Sequence, residues 1–535
     1  MEMKTIIKNI ILFLTLSVLS VSCINLDTPP YDRESDLTFW DEDEGAAIKA
    51  LNTCYTYLAN IEELMYSEAM TDNAYTKQPF DFTQNIGNGS YSTADPYVQA
   101  VWDGRYTGVR MCNQLLENID RVPSLDDNLK NRYIGEVKAI RAFHYYELYT
   151  KFGDVPYVTT ELSIEESKNV SRTEKSTVVQ NILGDLDEVI SKNFLPHSYD
   201  SENKGRMTHW AAVALKAKIH LFEGDWPSVK TLTESIMTNG GFSLFDSYSG
   251  LFEIANEYNS EVILDAQYRP HSREHKIMYE FLPPSLGGYS QLSPLQSLVD
   301  SYIMLDGLSI KDSDLYNADD PYANRDPRLS STVMYTGNSY VLSDGEVVVI
   351  NCEPGEGSDG FGVSSDCTAT GYYIKKYWDN SYRGALMSGL NPILIRFADI
   401  LLMNAESLAE MGQLSEQAWN LTIKPIRERA GFTEFSSLEF PTGKSKEELI
   451  EIVRNERRSE LALEGHRHKD IIRWRIAEDV MNGWSHGFKT NELVGTDDGY
   501  VRIESRVFDA AKHYLWPIPQ SERDLNKNLE QNPNW

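Results

Sequence analysis

The sequence predicts a mostly α-helical protein, a helical-repeat scaffold that carries an irregular, loop-rich and partly β insert. Apolar residues recur at spacings of three and four in both the first and the last third of the chain, as on the buried face of an amphipathic helix. Residues 241–390 instead hold short β-like runs among Gly, Pro, Ser and Asp. With 535 residues, of which 41% are hydrophobic, the chain is long enough to bury a large core.

Residues 1–22 predict a lipoprotein signal peptide. Two lysines precede an apolar run over 10–21, which is shorter than the roughly 20 apolar residues of a membrane-spanning helix. The run ends at Ser22-Cys23, and a cysteine at a small-residue cleavage position is typical of bacterial lipidation, although Ser20 stands where such sites usually have Leu. We expect lipidation of Cys23 and a lipidated tether over 23–36. A plain signal peptide with a spectator cysteine is the alternative.

Residues 37–240 form a predicted N-terminal helical region. The apolar spacing predicts helices over 45–61, 97–119, 131–149, 208–222 and 227–238. Thr208 is a suitable N-cap, and the turn Gly224-Asp225-Trp226 joins the last two helices. This helix–turn–helix unit resembles a tetratricopeptide (TPR) repeat. A comparable pair is predicted over 395–411 and 415–430, inside a C-terminal helical region that covers 391–535.

The insert, residues 241–390, is predicted to contain strands over 262–268, 340–342, 346–350 and 372–378. Long loops in a helical protein usually carry function. Cys352 and Cys367 bracket a Gly/Ser/Asp-rich loop, and the sequence leaves open a disulfide between them or two free buried thiols. An acidic loop from Asp312 to Asp320 offers oxygen ligands for calcium, or is simply a solvated acidic loop.

The charge balance and the charged motifs argue against nucleic acid binding and catalysis. The 50 Lys and Arg against 80 Asp and Glu give a net charge of −30, which repels phosphate groups and so excludes nucleic acid as a partner. Arginines interleaved with glutamates over 456–473 hold those acids ionised, whereas an acid catalyst needs a raised pKa. His271, Glu274 and His275 match an H-x-x-E-H zinc pattern, but the neighbouring Pro270 argues against the helix that this chemistry needs. No enzyme activity, cofactor, catalytic residue or metal ligand is predicted.

Motifs along nearly the whole chain occur together in one order. They include Phe152-Gly153-Asp154-Val155-Pro156, Asn324-Arg325-Asp326-Pro327-Arg328, Arg396-Phe-Ala-Asp399, Glu456-Arg457-Arg458-x-Glu460-Leu461-Ala462-x-Glu464-Gly465 and Pro517-Ile518-Pro519. This ordered set resembles the SusD/RagB family of outer-membrane lipoproteins. The resemblance implies a lipid-anchored protein of the outer membrane that faces the cell exterior. It also implies capture of oligosaccharide and its transfer to a SusC-like TonB-dependent outer-membrane β-barrel. A peptide ligand, as in RagB-like members, is the main alternative; a surface hydrolase or a pure scaffold is a further one.

Carbohydrate binding needs an aromatic ring for the apolar face of the sugar and polar side chains for its hydroxyl groups. Loops over 72–97 and 279–291 offer this mixture, as do aromatic residues over 372–378. Asp72 falls where the family places an Asp after the first helix, and the resemblance implies a ligand contact there. The candidate aromatic contacts are Tyr75, Tyr91, Tyr289 and Trp378. Each of these rings also fits a purely structural role in packing.

Overall fold

The computed structural model describes residues 39–41, 44–78, 82–123, 125–379, 387–490 and 495–535, together with Met3. Apart from Met3, the predicted signal peptide lies outside these described residues, as do the lipidation site Cys23 and the tether. Within the described ranges, no helix combines the length and the apolar character that crossing a membrane requires.

The first part of the chain is helical, as predicted. Its helices lie at Glu44–Thr56 (α1), Ile61–Tyr66 (α2), Thr83–Asn88 (α3), Pro96–Asn118 (α4), Asp127–Phe152 (α5), Ile164–Ser167 (α6), Lys175–Ser191 (α7), His209–Glu223 (α8) and Trp226–Asn239 (α9). Thr208 caps α8 as expected, because its side chain accepts a hydrogen bond from the Ala211 N–H. The same helix ends at Gly224, whose φ of 72° is left-handed and costs a glycine little.

The helices pack side by side around one large apolar core. The long helices α4 and α5 pack against each other, α5 also packs against α7, and α8 packs against α9. Small side chains let α8 approach its neighbours closely, since Ala211, Ala214 and Ala217 are all fully buried. The α8–α9 pair is the TPR-like unit that the sequence predicted. It packs through α9 against a C-terminal helix, Phe397–Glu410 (α13).

The middle of the chain holds short helices and short strands. The helices are Ile277–Phe281 (α10), Gln296–Ser301 (α11) and Pro327–Thr332 (α12). The strands form antiparallel pairs, namely Ala74–Thr76 (β1) with Leu292–Pro294 (β3), Val262–Asp265 (β2) with Ile393–Arg396 (β8), Val333–Met334 (β4) with Tyr373–Ile374 (β7), and Ser339–Val341 (β5) with Val347–Val349 (β6). A second apolar core lies under these elements.

The C-terminal part continues with helices and then a small sheet. After α13 come Glu416–Leu421 (α14), Ile423–Ala430 (α15), Phe435–Leu438 (α16), Lys446–Glu460 (α17), Arg467–Trp474 (α18), Ala477–Val480 (α19) and, near the end, Gln520–Leu525 (α20). The sheet consists of Gly483–Lys489 (β9), Thr496–Asp497 (β10) and Tyr500–Arg506 (β11), in the order β10-β11-β9 and antiparallel. This sheet was not predicted, and it provides one wall of the candidate site.

The charged segment around α17 forms a buried ion-pair network, which confirms the structural interpretation of those residues. Arg396 lies 2.6 Å from Glu460 and 2.7 Å from Glu464, and Arg328 lies 2.7 Å from Glu456 and 2.9 Å from Glu460. All five side chains are buried. Burial alone would raise the pKa of Glu464, but the neighbouring Arg396 and a buried lysine lower it to about 2. The carboxylates therefore stay ionised and have a structural role as partners in buried ion pairs.

Candidate functional site

A groove of about 510 Å³ opens between the β9–β11 sheet, the segment around α11 and the side chain of Arg458 on α17. We call it the Trp484 groove. The sheet contributes Trp484, His486 and Tyr500 to its lining. The opposite side is lined by Asp300 and Arg458, with Asp72 beside them.

The sheet places an accessible aromatic ring in this groove. Trp484 is 47% exposed and lies on β9 opposite Ser505 of β11. The Arg502 guanidinium carbon lies 5.5 Å from the centre of the Trp484 ring, so one neighbour supports the indole while about half of its surface stays accessible. Tyr500 is half-buried in the same lining. A flat, half-exposed indole is the type of surface on which the C–H face of a sugar ring packs.

Hydrogen-bonding groups lie at the edge of the Trp484 groove. Asp300 is half-buried, and its Oδ1 accepts a hydrogen bond of 2.7 Å from the Gln296 amide. Burial raises the pKa of the Asp300 carboxyl. Arg458 donates 2.9 Å from Nε to Asn73 and 3.1 Å from Nη2 to Ser297. Within the described parts of the chain, Asp300 Oδ2 and Arg458 Nη1 make no hydrogen bond, which leaves one acceptor and one donor for a ligand hydroxyl.

Asp72, the leading candidate from the sequence, borders this groove but is already fully engaged. It is 6% exposed, and its carboxylate accepts hydrogen bonds of 2.8 and 2.9 Å from Arg467. Arg458 Nη2 lies 2.9 Å from the same carboxylate. Burial would raise the pKa of Asp72, but the two guanidinium groups hold it well below its usual range. In this arrangement Asp72 fixes Arg458 at the groove, while a direct ligand contact by Asp72 stays a prediction.

None of the four aromatic candidates from the sequence lines the Trp484 groove. The prediction of a ligand contact is wrong for Tyr91, which is only 4% exposed. Its ring centre lies 5.1 Å from that of His513 and 4.8 Å from that of Trp535, so it has no free face for a ligand. Trp378 is half-buried with its ring 4.9 Å from Tyr340. The two remaining candidates are half-buried and contact other side chains, Tyr75 at the Gln84 amide and Tyr289 at the Tyr279 ring.

Sequence reasoning missed Trp484 and Tyr500. The signal was present, since aromatic and polar residues alternate over 484–488 and β-prone residues follow a Gly-Thr-Asp-Asp-Gly turn at 495–499. The helical patterns on both sides of this segment hid it.

The other site patterns of the sequence are not assembled in the structure. His271 lies in an exposed turn with φ of 66°, whereas His275 is buried with Nε2 2.9 Å from the Leu390 carbonyl oxygen, so the two do not share a helix face. No group of three or more His, Cys, Asp or Glu within the described ranges is placed to hold a metal ion, and this includes the acidic loop 312–320. Cys352 and Cys367 are both free and buried, which answers the question that the sequence left open.

Comparisons with known proteins agree with this architecture. The sequence profile of the SusD family matches residues 250–535, and a profile described as starch-binding associating with outer membrane matches residues 45–221. SusD-like protein P25 of Formosa agariphila is 26% identical, with 98% of each chain covered. A SusD-like carbohydrate binding protein from Bacteroides fragilis has a TM-score of 0.83 at 27% identity, covering 92% of this chain and all of that one.

A laminarin binding SusD-like protein shares the fold, with a TM-score of 0.69 at 23% identity over 92% of this chain and 100% of that one. The profile match over residues 250–535 covers more than half of the sequence. The chain belongs to the SusD family.

Proposed function

We propose that this protein binds an oligosaccharide in the Trp484 groove and does not cleave it. The observation that carries the proposal is a half-exposed indole beside one uncommitted acceptor, Asp300 Oδ2, and one uncommitted donor, Arg458 Nη1. An aromatic plate with a few convergent polar groups is the usual composition of a sugar-binding site. The SusD-like relative from Bacteroides fragilis, which is named a carbohydrate binding protein, supports the same ligand class.

In the proposed complex, a sugar ring packs its C–H face on Trp484 while its hydroxyl groups bond to Asp300 and Arg458. Trp484 is 47% exposed, which leaves about 120 Å² accessible if a whole Trp side chain offers about 250 Å². Covering half of that area buries about 60 Å² on each partner, which at about 25 cal/mol per Å² contributes about 3 kcal/mol. The hydrogen bonds add little net energy, because each replaces a hydrogen bond to water. Binding is therefore modest, which suits a protein that must release its ligand.

The absence of cleavage is part of the proposal and rests on the state of the carboxylates. A glycosidase needs two carboxyl groups, one as the acid and the other as nucleophile or base. Asp300 has a raised pKa, but the nearby Asp72 has its oxygens committed to Arg458 and Arg467. A carboxylate held in this way is not available to attack a sugar or to activate water. The third carboxylate of the lining, Asp479, is exposed to solvent, and the product assay below tests whether it takes part in cleavage.

We further propose that the protein is lipidated at Cys23, sits on the outer membrane facing the exterior, and passes its ligand to a SusC-like TonB-dependent β-barrel. The apolar run followed by Ser22-Cys23 supports the anchor. Membership of the SusD family supports the membrane location, since a matching profile is described as associating with outer membrane. Palmitate labelling of the wild type but not of Cys23→Ser, followed by co-purification of a β-barrel from outer membranes, tests both parts.

Affinity electrophoresis on a glycan panel, with soluble starch and laminarin included, tests the binding function. Trp484→Ala should weaken binding about 10- to 100-fold, because losing about 3 kcal/mol of stacking corresponds to roughly 100-fold in Kd. The control is Phe435→Ala, which removes another exposed ring, 77% accessible, that lines no part of the groove. Equal affinity of Trp484→Ala and wild type would refute the site.

Two further arms of the same experiment separate the alternatives. Incubation of the purified protein with the bound glycan should give no shortened product, and a product would show a hydrolase. A peptide library run beside the glycans tests the peptide alternative, which predicts retention of peptides and no retardation by any glycan.

A further inference from the structure

A second groove, which the proposed function does not use, lies between the end of α1, helix α2 and one face of α4. Its volume is about 500 Å³, close to that of the Trp484 groove, and the two grooves share no lining residue. The residues of this second groove that carry the argument are Tyr57, Glu62, Tyr66, Ala100, Gly104 and Glu280.

The second groove has an aromatic wall and a shallow floor. Tyr57 follows the last turn of α1 and is 39% exposed, and Tyr66 at the end of α2 is half-buried. Ala100 and Gly104 lie four positions apart on α4, so they share one helix face and form a floor with almost no side chain. A Cβ placed on Gly104 would meet no atom within 4 Å, which shows open space above the helix.

The polar rim of the second groove is rich in hydrogen-bond acceptors. Glu280 accepts a hydrogen bond of 2.9 Å from the Tyr66 hydroxyl, and Glu63 is paired with Arg105. Glu62 accepts one long hydrogen bond of 3.4 Å from the Lys276 N–H, so its carboxylate stays largely uncommitted within the described chain. Sugar hydroxyl groups are donors, and neighbouring hydroxyls on one ring can donate together to a carboxylate.

We propose that this second groove is a further carbohydrate-binding site, with Tyr57 as the ring platform and Glu62 and Glu280 as acceptors for sugar hydroxyl groups. The inference rests on the proposed function, because it assumes that the ligand is a glycan. A polysaccharide long enough to reach both grooves is held at two places, so its second contact forms at a high effective concentration. The protein then prefers long chains to short ones without any tight contact at either groove.

The test fills the second groove from its floor. Gly104→Leu places a side chain in the open space and favours the helix, since Leu has a higher helix propensity than Gly. The matched control is Gly184→Leu, because Gly184 also lies inside a helix with no atom within 4 Å of an added Cβ, and it lines neither groove. Calorimetric titrations use laminarihexaose, maltohexaose, cellohexaose, xylohexaose and mannohexaose, and then the polysaccharide that corresponds to the best hexasaccharide.

For the hexasaccharide that binds, wild type and Gly184→Leu should bind two molecules per chain. Gly104→Leu and Trp484→Ala should each bind one, and the double variant none. The affinity of Gly104→Leu for the polysaccharide should fall about tenfold or more, because the second contact is lost. If Gly104→Leu keeps the wild-type stoichiometry and affinity, the second site is refuted while the Trp484 groove stands. If the wild type binds none of these glycans, the proposed function falls together with this inference.

Discussion

Replacing Asp72 with Asn separates the two roles that this residue can have at the Trp484 groove. In the structure its carboxylate is the counter-ion of Arg458 and Arg467, whose side chains are 12% and 7% exposed. The amide keeps the size of the side chain and one acceptor oxygen, but it removes the negative charge and points an N–H group at a guanidinium. The two arginines then face no anionic partner at this position.

The expected loss of stability follows from this burial. Removing one partner of a buried ion pair costs about 3–5 kcal/mol, and the remaining amide oxygen places Asp72→Asn near the lower value. Unfolding entropy is about 2.1 cal/mol/K per residue, which gives about 1.1 kcal/mol/K for 535 residues. The melting temperature should therefore fall by about 3 °C. Glycan affinity should fall about three- to tenfold, because Arg458 is no longer held at the groove.

Scanning calorimetry and affinity electrophoresis of the same preparations test this prediction. The control is Asp479→Asn, since Asp479 also lines the groove but is exposed, and its loss should leave the melting temperature unchanged. The reasoning is refuted if Asp72→Asn has the same melting temperature as the wild type and loses glycan binding completely. That result would assign Asp72 to direct ligand contact, as the sequence first suggested.

Further predictions concern the buried charges and the thiols. Arg396→Met should lower the free energy of unfolding by about 3–5 kcal/mol in urea titrations, since it leaves Glu460 and Glu464 without this partner. As the control, loss of the exposed Arg502 should leave the free energy of unfolding unchanged. Burial raises the pKa of Glu68 from 4.5 to about 7, so between these pH values the folded protein keeps a proton that the unfolded protein releases. The free energy of unfolding should therefore fall as the pH rises from 5 to 8. Relative to Glu68→Gln, this fall should be roughly 3 kcal/mol at most. Titration of unreduced, denatured lipoprotein should count four thiols, because the thiol of Cys23 is acylated in the proposed mature protein and the four described cysteines are free; a count of two would reveal a disulfide. Removal of metals with EDTA should leave the melting temperature unchanged, and a lower value would show a metal site outside the described groups.

The helices could be predicted because each is encoded locally. The predicted span 208–222 is observed at 209–223 and the span 97–119 at 96–118, since apolar period and capping residues act within a few residues of the helix ends. Each of the four predicted strands in the middle overlaps an observed strand, and three of the four are longer than observed, whereas β3 and β4 were not predicted. The predicted strand over 372–378 is observed as Tyr373–Ile374, because pairing with β4 decides where a strand ends.

The Trp484 groove could be predicted only in part, because burial is decided by contacts that are distant in the sequence. Asp72 borders this groove, but its contact with a ligand stays a prediction, and the two arginines that engage it come from positions 458 and 467. The sequence around Tyr91 has the composition of a surface loop, but the C-terminal residues His513 and Trp535 pack on its ring and bury it. Trp484 is exposed where no exposed ring was predicted. Its exposure depends on its place in the β9–β11 sheet, which the periodicity of apolar residues did not reveal.

The Trp484 groove is built from opposite ends of the chain. Arg506 of β11 donates to the backbone carbonyl oxygens of Thr71 and Ala74, across more than 430 positions. Closing so long a loop has a higher entropic cost than forming a local helix, so we expect this wall of the groove to form after the helices. A chain that ends before β9 can still form the helices of its first part but lacks this wall of the groove. The proposed ligand site therefore depends on pairing between residues that are synthesised early and residues that are synthesised late.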